Sequence, residues 1–138
     1  MIVDVHTHTP THEHAVPEED RKLYGSWNNG PAVVTTRSWA EYAELTSAAD
    51  VTIVFNIAVA DSDSDMPGDP AMVNQRTEAF VASDPSRRIG FMSVNPNLPG
   101  YLDEANRAMS NGLKGIKLGP NYQNFDPLSP GAKKIYAF

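Results

Sequence analysis

The sequence contains no cysteine, so disulfides and thiolate metal sites are excluded. Any metal site must therefore use His, Asp or Glu. Basic residues are also few: 11 Lys and Arg stand against 17 Asp and Glu, which gives a formal net charge of −6. This balance argues against nucleic acid or an anionic membrane as the main partner, because both select basic patches.

Long apolar runs are also missing, and none approaches the roughly 20 residues that span a bilayer. The N-terminus lacks the basic-then-apolar pattern of a secretion signal, because Asp4 and His6 interrupt it. We therefore expect a cytoplasmic protein. The sequence also has no glycine-rich phosphate loop, no serine nucleophile elbow and no cysteine nucleophile.

The opening residues, 1–8, predict a short buried β-strand that ends in two histidines one residue apart. Successive side chains on a strand point to opposite faces, so Asp4, His6 and His8 are expected on one face. Two imidazoles at this spacing can bind one metal ion, and ligands usually bind at this end of parallel strands. We predict that His6 and His8 are metal ligands and that Asp4 is a buried hydrogen-bond partner.

The remaining chain alternates between strand and helix patterns, after an irregular segment at 9–37 that is rich in Pro and Gly. Further strands are predicted at about 51–59, 89–94 and 115–118. Helix starts are marked by Ser38, Asp69 and Ser129, which are good N-cap residues. This βα order predicts an α/β fold with a parallel sheet, in a single domain over 1–138.

Four segments of the sequence resemble the amidohydrolase superfamily, specifically its amidohydrolase-related branch. They are the opening Ile2–His8, the end of the third strand at Val94–Pro96, the Gly112–Leu118 segment and the run Phe125–Pro130. The resemblance implies a (β/α)8 TIM barrel that binds one or two divalent metals, here Zn, with Mn, Fe or Ni as alternatives. It implies hydrolysis of C–N or C–O bonds, or decarboxylation or hydration, of small carboxylated or aromatic compounds.

A full barrel takes roughly 250 residues, so the 138 residues correspond to the N-terminal half, about four βα units. The family's other metal-binding histidines follow the fifth and sixth strands, and its catalytic Asp follows the eighth. The resemblance thus implies that the catalytic base lies beyond residue 138, and we expect a truncated barrel that is inactive alone. Its two open sheet edges are expected to pair with another chain, so we predict a homo-oligomer.

Candidate residues for contacts with the substrate, a small molecule such as a carboxylate or an aromatic acid, lie in two regions. Tyr24 and Trp27 belong to the long first loop and could close over a substrate or pack within the loop. Lys117 lies in the fourth strand, where it points either into the barrel or outward. Asn121 follows that strand and could face a pocket or serve a turn.

An alternative function is a non-enzymatic metal-binding module. His12 and His14 repeat the spacing of the first histidine pair. The set His6, His8, His12 and His14 could therefore hold one transition metal without any later strand.

Overall fold

The structure is a computed structural model that describes residues 1–10, 38–58 and 69–138. Four strands form one parallel sheet whose spatial order follows the chain order. These strands are β1 (Val3–His8), β2 (Val51–Phe55), β3 (Arg88–Ser93) and β4 (Gly115–Lys117). The predicted α/β class with a parallel sheet is therefore confirmed.

Helices follow each strand wherever the chain is described. They are α1 (Trp39–Leu45), α2 (Pro70–Ala82), α3 (Tyr101–Ser110), α4 (Pro120–Gln123) and α5 (Pro130–Tyr136). The predicted caps are confirmed, because the side chains of Ser38, Asp69 and Ser129 each accept a hydrogen bond from a backbone N–H of the first helical turn. Within the described ranges, no helix combines the length and apolar character needed to cross a bilayer.

One face of the sheet, here called the helix face, is covered by helices. Tyr42 of α1, Val54 of β2 and Phe80 of α2 form one buried cluster there. A larger cluster joins β3 to α3 and α5, and its buried members are Met92, Val94, Ala105, Ala108, Leu113 and Ile135. Burial of this apolar surface supplies the main driving force for packing the helices on the sheet.

The opposite face of the sheet is here called the inner face. Side chains alternate along a strand, so Phe55, Phe91 and Lys117 lie on the inner face, while Val54 and Met92 lie on the helix face. Several inner-face residues keep solvent exposure, including Ile89, which is 38% exposed. In a closed barrel this face would line the interior.

Some boundaries differ from the sequence-based expectations. Strand β2 ends at Phe55 rather than near residue 59, because the chain leaves the sheet at Asn56 and turns towards β3. Helix α4, just beyond β4, was not predicted. Most of the long first loop, 9–37, lies outside the described residues.

Candidate metal and substrate site

A β-bulge interrupts β1 between Asp4 and Thr7, in the segment that contains His6. Asp4 pairs with Thr52 and Thr7 pairs with Val54, so β1 uses one residue more than β2 between the two pairs. Both partners in β2 belong to the helix face, whereas His8 pairs on the inner face. The prediction that Asp4 shares a face with both histidines is therefore wrong, because the extra residue reverses the alternation.

The carboxylate of Asp4 serves the bulge itself. Its Oδ1 accepts a hydrogen bond of 3.1 Å from the backbone N–H of His6, two residues along the chain. Asp4 is exposed, so the expectation of a buried partner is also wrong. A bulge leaves a backbone N–H without its partner in the neighbouring strand. Here the Asp4 side chain accepts the hydrogen bond from that N–H.

Both histidine rings pack against one aromatic ring on the inner face. The ring centroids of His6 and His8 lie 4.9 Å and 5.0 Å from that of Phe55, each in an edge-on arrangement. The two imidazole centroids are 5.4 Å apart, with their planes inclined by 58°. Zn–N bonds are about 2.0–2.1 Å long, so rings at this separation can approach one ion placed between them.

The protein environment favours the neutral form of His8. Partial burial of its ring lowers its pKa below the usual 6.5, and the nearby His6 and Lys117 add to this shift. Hydrogen bonds with the Asn56 side chain and the Phe55 backbone act in the opposite direction but do not cancel it. A neutral imidazole is the form that binds metals, and metal-binding histidines commonly use their second nitrogen in such hydrogen bonds.

Threonines on either side of His8 fix the strand that carries it. Thr7 is buried and donates a 2.7 Å hydrogen bond to the backbone carbonyl of Ile53. Thr9 is buried as well and accepts a hydrogen bond from the side-chain amide of Asn56. Because Thr7 turns towards the helix face, its neighbours in sequence turn towards the inner face, where both histidines meet Phe55.

Lys117 also lies on the inner face, at the end of β4. Its Nζ stands 4.4 Å from the centroid of the Phe55 ring, so the ammonium and both imidazoles surround the same aromatic side chain. Sequence reasoning left its direction open, and the structure turns it inward. Phe55 itself was hidden in a continuous apolar run, where no periodicity distinguishes one buried residue from another.

A buried polar network connects the strand ends around this site. Gln123 is fully buried, and its side chain accepts a 2.9 Å hydrogen bond from the Gly119 N–H and donates a 3.0 Å one to the Val94 carbonyl. Ser93 accepts further bonds from Gln123 and from the backbone N–H of Ala58. The network links the segments after β2, β3 and β4, and the sequence alone did not indicate it.

Two histidines alone do not complete a metal site. In the parts of the chain that the structure describes, no group of three or more His, Cys, Asp or Glu side chains could hold an ion. The separation and chemistry of His6 and His8 fit two nitrogen ligands. Further ligands would have to come from outside the described residues.

The other predicted site residues lie apart from the pair or cannot be placed. Asn121 is exposed on α4, and its side chain forms no hydrogen bond with another described residue. Tyr24 and Trp27, predicted to contact the substrate, lie outside the described residues. The same holds for His12 and His14, so their proposed part in a four-histidine site stays a prediction.

No protein-family model and no curated protein matches the chain. Several solved structures are similar to the chain. A probable 2-pyrone-4,6-dicarboxylic acid hydrolase from Acinetobacter baumannii, with citric acid bound, is similar over 97% of this chain, with a TM-score of 0.56 and 13% sequence identity. A 4-oxalomesaconate hydratase from Rhodopseudomonas palustris is similar over 99% of the chain, with a TM-score of 0.55 and 19% identity.

The fold is that of half a (β/α)8 barrel. The chain spans 43% of the hydrolase and 48% of the hydratase, and at these identities the similarity shows the fold alone. Four sequential parallel strands are what half of an eight-stranded barrel contains. The expectation that the chain is a truncated, inactive fragment stays a prediction.

Proposed function

We propose that this chain contributes His6 and His8 as metal ligands to a metal-dependent hydrolase or lyase that acts on small carboxylated molecules. The observation that carries the proposal is the pair of imidazoles at the carboxyl end of β1, 5.4 Å apart and both packed on Phe55. In barrels of this kind, active sites lie at the carboxyl ends of the strands.

Three further observations support the proposal. The pKa of His8 is lowered, so its ring is neutral and able to bind a metal at pH 7. The two solved structures with a similar fold are a hydrolase of a dicarboxylic acid and a hydratase. The opening Ile2–His8 segment resembles the amidohydrolase-related branch, whose members carry out such reactions.

A bound divalent metal would lower the pKa of a coordinated water towards about 7 and polarise a substrate carbonyl. The chain's own residues would provide the surroundings for that chemistry. Phe55 packs against both rings, and Thr7 fixes the strand between them. Zn is the proposed metal, with Mn, Fe or Ni as alternatives, because imidazole nitrogen suits all of them.

Equilibrium dialysis with Zn²⁺ on the 138-residue chain tests the metal ligands. We expect His6→Ala/His8→Ala to lose at least about 100-fold in Zn affinity, because both nitrogen ligands are removed. The matched control is His12→Ala/His14→Ala, which has the same spacing and charge change. We expect this control to bind Zn as the wild-type chain does.

The outcome of that control decides between an enzyme site and a metal-binding module. Equal loss of Zn affinity in both double variants would favour the four-histidine module.

An activity assay tests the enzymatic part of the proposal. We expect the protein that carries this chain to turn over small carboxylated lactones or unsaturated acids, and we expect this turnover to require metal. Turnover that survives a chelator and the His6→Ala/His8→Ala substitutions would contradict the proposal.

A further inference from the structure

Lys117 is a cation without an anionic partner in the described part of the chain. It is half-buried, and its Nζ lies 4.4 Å from the centroid of the Phe55 ring. The ion pairs among the described residues instead involve Arg107 and the N-terminal amine. An aromatic face attracts an ammonium but offers no lone pairs to its three N–H donors.

The ammonium of Lys117 makes this part of the inner face positive, in a chain whose formal net charge is −6. Its ammonium and the rings of His6 and His8 each lie within 5.0 Å of the Phe55 centroid. The charge of Lys117 is close enough to His8 to contribute to the lowering of its pKa. A metal bound by the two imidazoles would add further positive charge.

We propose that Lys117 binds a carboxylate group of the substrate, on the inner face beside His6 and His8. The inference rests on the proposed function, which it deepens by assigning one residue to recognition of the substrate's charge. A small dicarboxylate would place one carboxylate on the ammonium and its other end near the imidazoles. The arrangement of all three groups around one phenyl ring suits a molecule of a few carbon atoms.

The chemistry of lysine fits this role. Its ammonium is a compact point charge with three donors on a flexible stem, so it can follow a carboxylate in more than one orientation. A charge-assisted hydrogen bond is stronger than a neutral one. A neutral amide analogue of the same shape should therefore bind much more weakly than the dicarboxylate.

Titration of the Zn-loaded chain with glutarate, followed by calorimetry, tests the inference, with glutaramide as the neutral probe. We expect Lys117→Met to lower glutarate affinity at least about tenfold and to abolish the preference for glutarate over glutaramide. Lys117→Arg keeps the charge and should retain most of the affinity. The matched control is Lys114→Met, since Lys114 is exposed and precedes β4.

Zn affinity distinguishes a loss of carboxylate binding from damage to the fold. Removal of a neighbouring positive charge should leave Zn binding by Lys117→Met unchanged or stronger, whereas a damaged fold would weaken it. The inference would be overturned if Lys117→Met bound glutarate with wild-type affinity. It would also be overturned if the wild-type chain bound glutaramide and glutarate equally well. If Zn does not bind but glutarate still binds through Lys117, the proposed metal function fails and this inference stands.

Discussion

The hydroxyl of Thr7 lies 2.8 Å from the hydroxyl of Tyr42, and both groups are buried. Thr7 also donates its only proton to the Ile53 carbonyl, so Tyr42 is the donor in the hydroxyl pair. This contact ties the strand between the two histidines to helix α1. The histidine pair is thus held in place from the helix face of the sheet, through Thr7 and Tyr42.

Removal of the Thr7 hydroxyl is expected to destabilise the protein. In Thr7→Val the Tyr42 hydroxyl loses its acceptor inside the protein, and we expect a loss of about 2 kcal/mol in the free energy of unfolding. Tyr42→Phe leaves Thr7 bonded to Ile53 and should cost only about 1 kcal/mol. Urea unfolding monitored by circular dichroism measures both, and equal losses would contradict the assigned donor directions.

Stability should depend on pH through His8. Its pKa is lowered in the folded protein, so the unfolded chain binds a proton more readily than the folded one. The stability that depends on neutral His8 should therefore be fully present above about pH 6.5. The free energy of unfolding should fall as the pH is lowered through the folded-state pKa of His8.

His8→Gln should flatten this pH dependence, because it removes the titrating group and keeps a polar side chain. Unfolding curves recorded between pH 7.5 and about pH 5 give the comparison. His6→Gln should weaken the pH dependence without abolishing it, because His6 is one of the causes that lower the pKa of His8. A wild-type slope in the His8→Gln variant would show that another group is responsible.

Gln123 is expected to be the most sensitive polar residue near the strand ends. Gln123→Leu removes the acceptor of the Gly119 N–H and the donor to the Val94 carbonyl, at a fully buried position. We expect a loss of about 2–4 kcal/mol in the free energy of unfolding, because buried polar groups lose their partners. Asn121→Leu, on the same helix but exposed, should change stability by less than about 0.5 kcal/mol.

At Gly90, strand β3 comes close to helix α2 and to Leu113, which lies between α3 and β4. A Cβ at this position would lie 2.5 Å from Leu113 Cδ2 and 2.9 Å from Val81 Cγ2. Gly90→Ala should therefore cost about 1–3 kcal/mol through overpacking. In a Leu113→Ala background the same substitution should cost clearly less, and a double-mutant cycle from thermal or urea unfolding measures the difference. Additive losses would contradict the predicted clash.

Sequence reasoning recovered the elements whose signals are local. Ser38, Asp69 and Ser129 each begin a helix as predicted, because the N-cap hydrogen bond depends only on residues within one turn. The parallel order of the strands follows from the alternation of strand and helix patterns, which leaves few allowed topologies. Both kinds of information are present in a single sequence.

The features that were missed depend on a distant partner. The face of Asp4 could not be predicted, because the bulge exists only in the pairing of β1 with β2. Gln123 looks like a surface residue in sequence, and its burial arises from contacts with segments about 30 residues away. The role of Phe55 at the site likewise required knowing which residues of three strands share a face.

The bulge in β1 makes the histidine pair tolerant of one change in chain length. The extra residue lies between Asp4 and Thr7, so a chain without Val5 would have regular register and would still present both imidazoles beside Phe55. Deletion of Thr7 would instead turn one ring to the opposite side of the sheet. Deletion of Val5 should thus be neutral for the placement of the pair, whereas deletion of Thr7 should not.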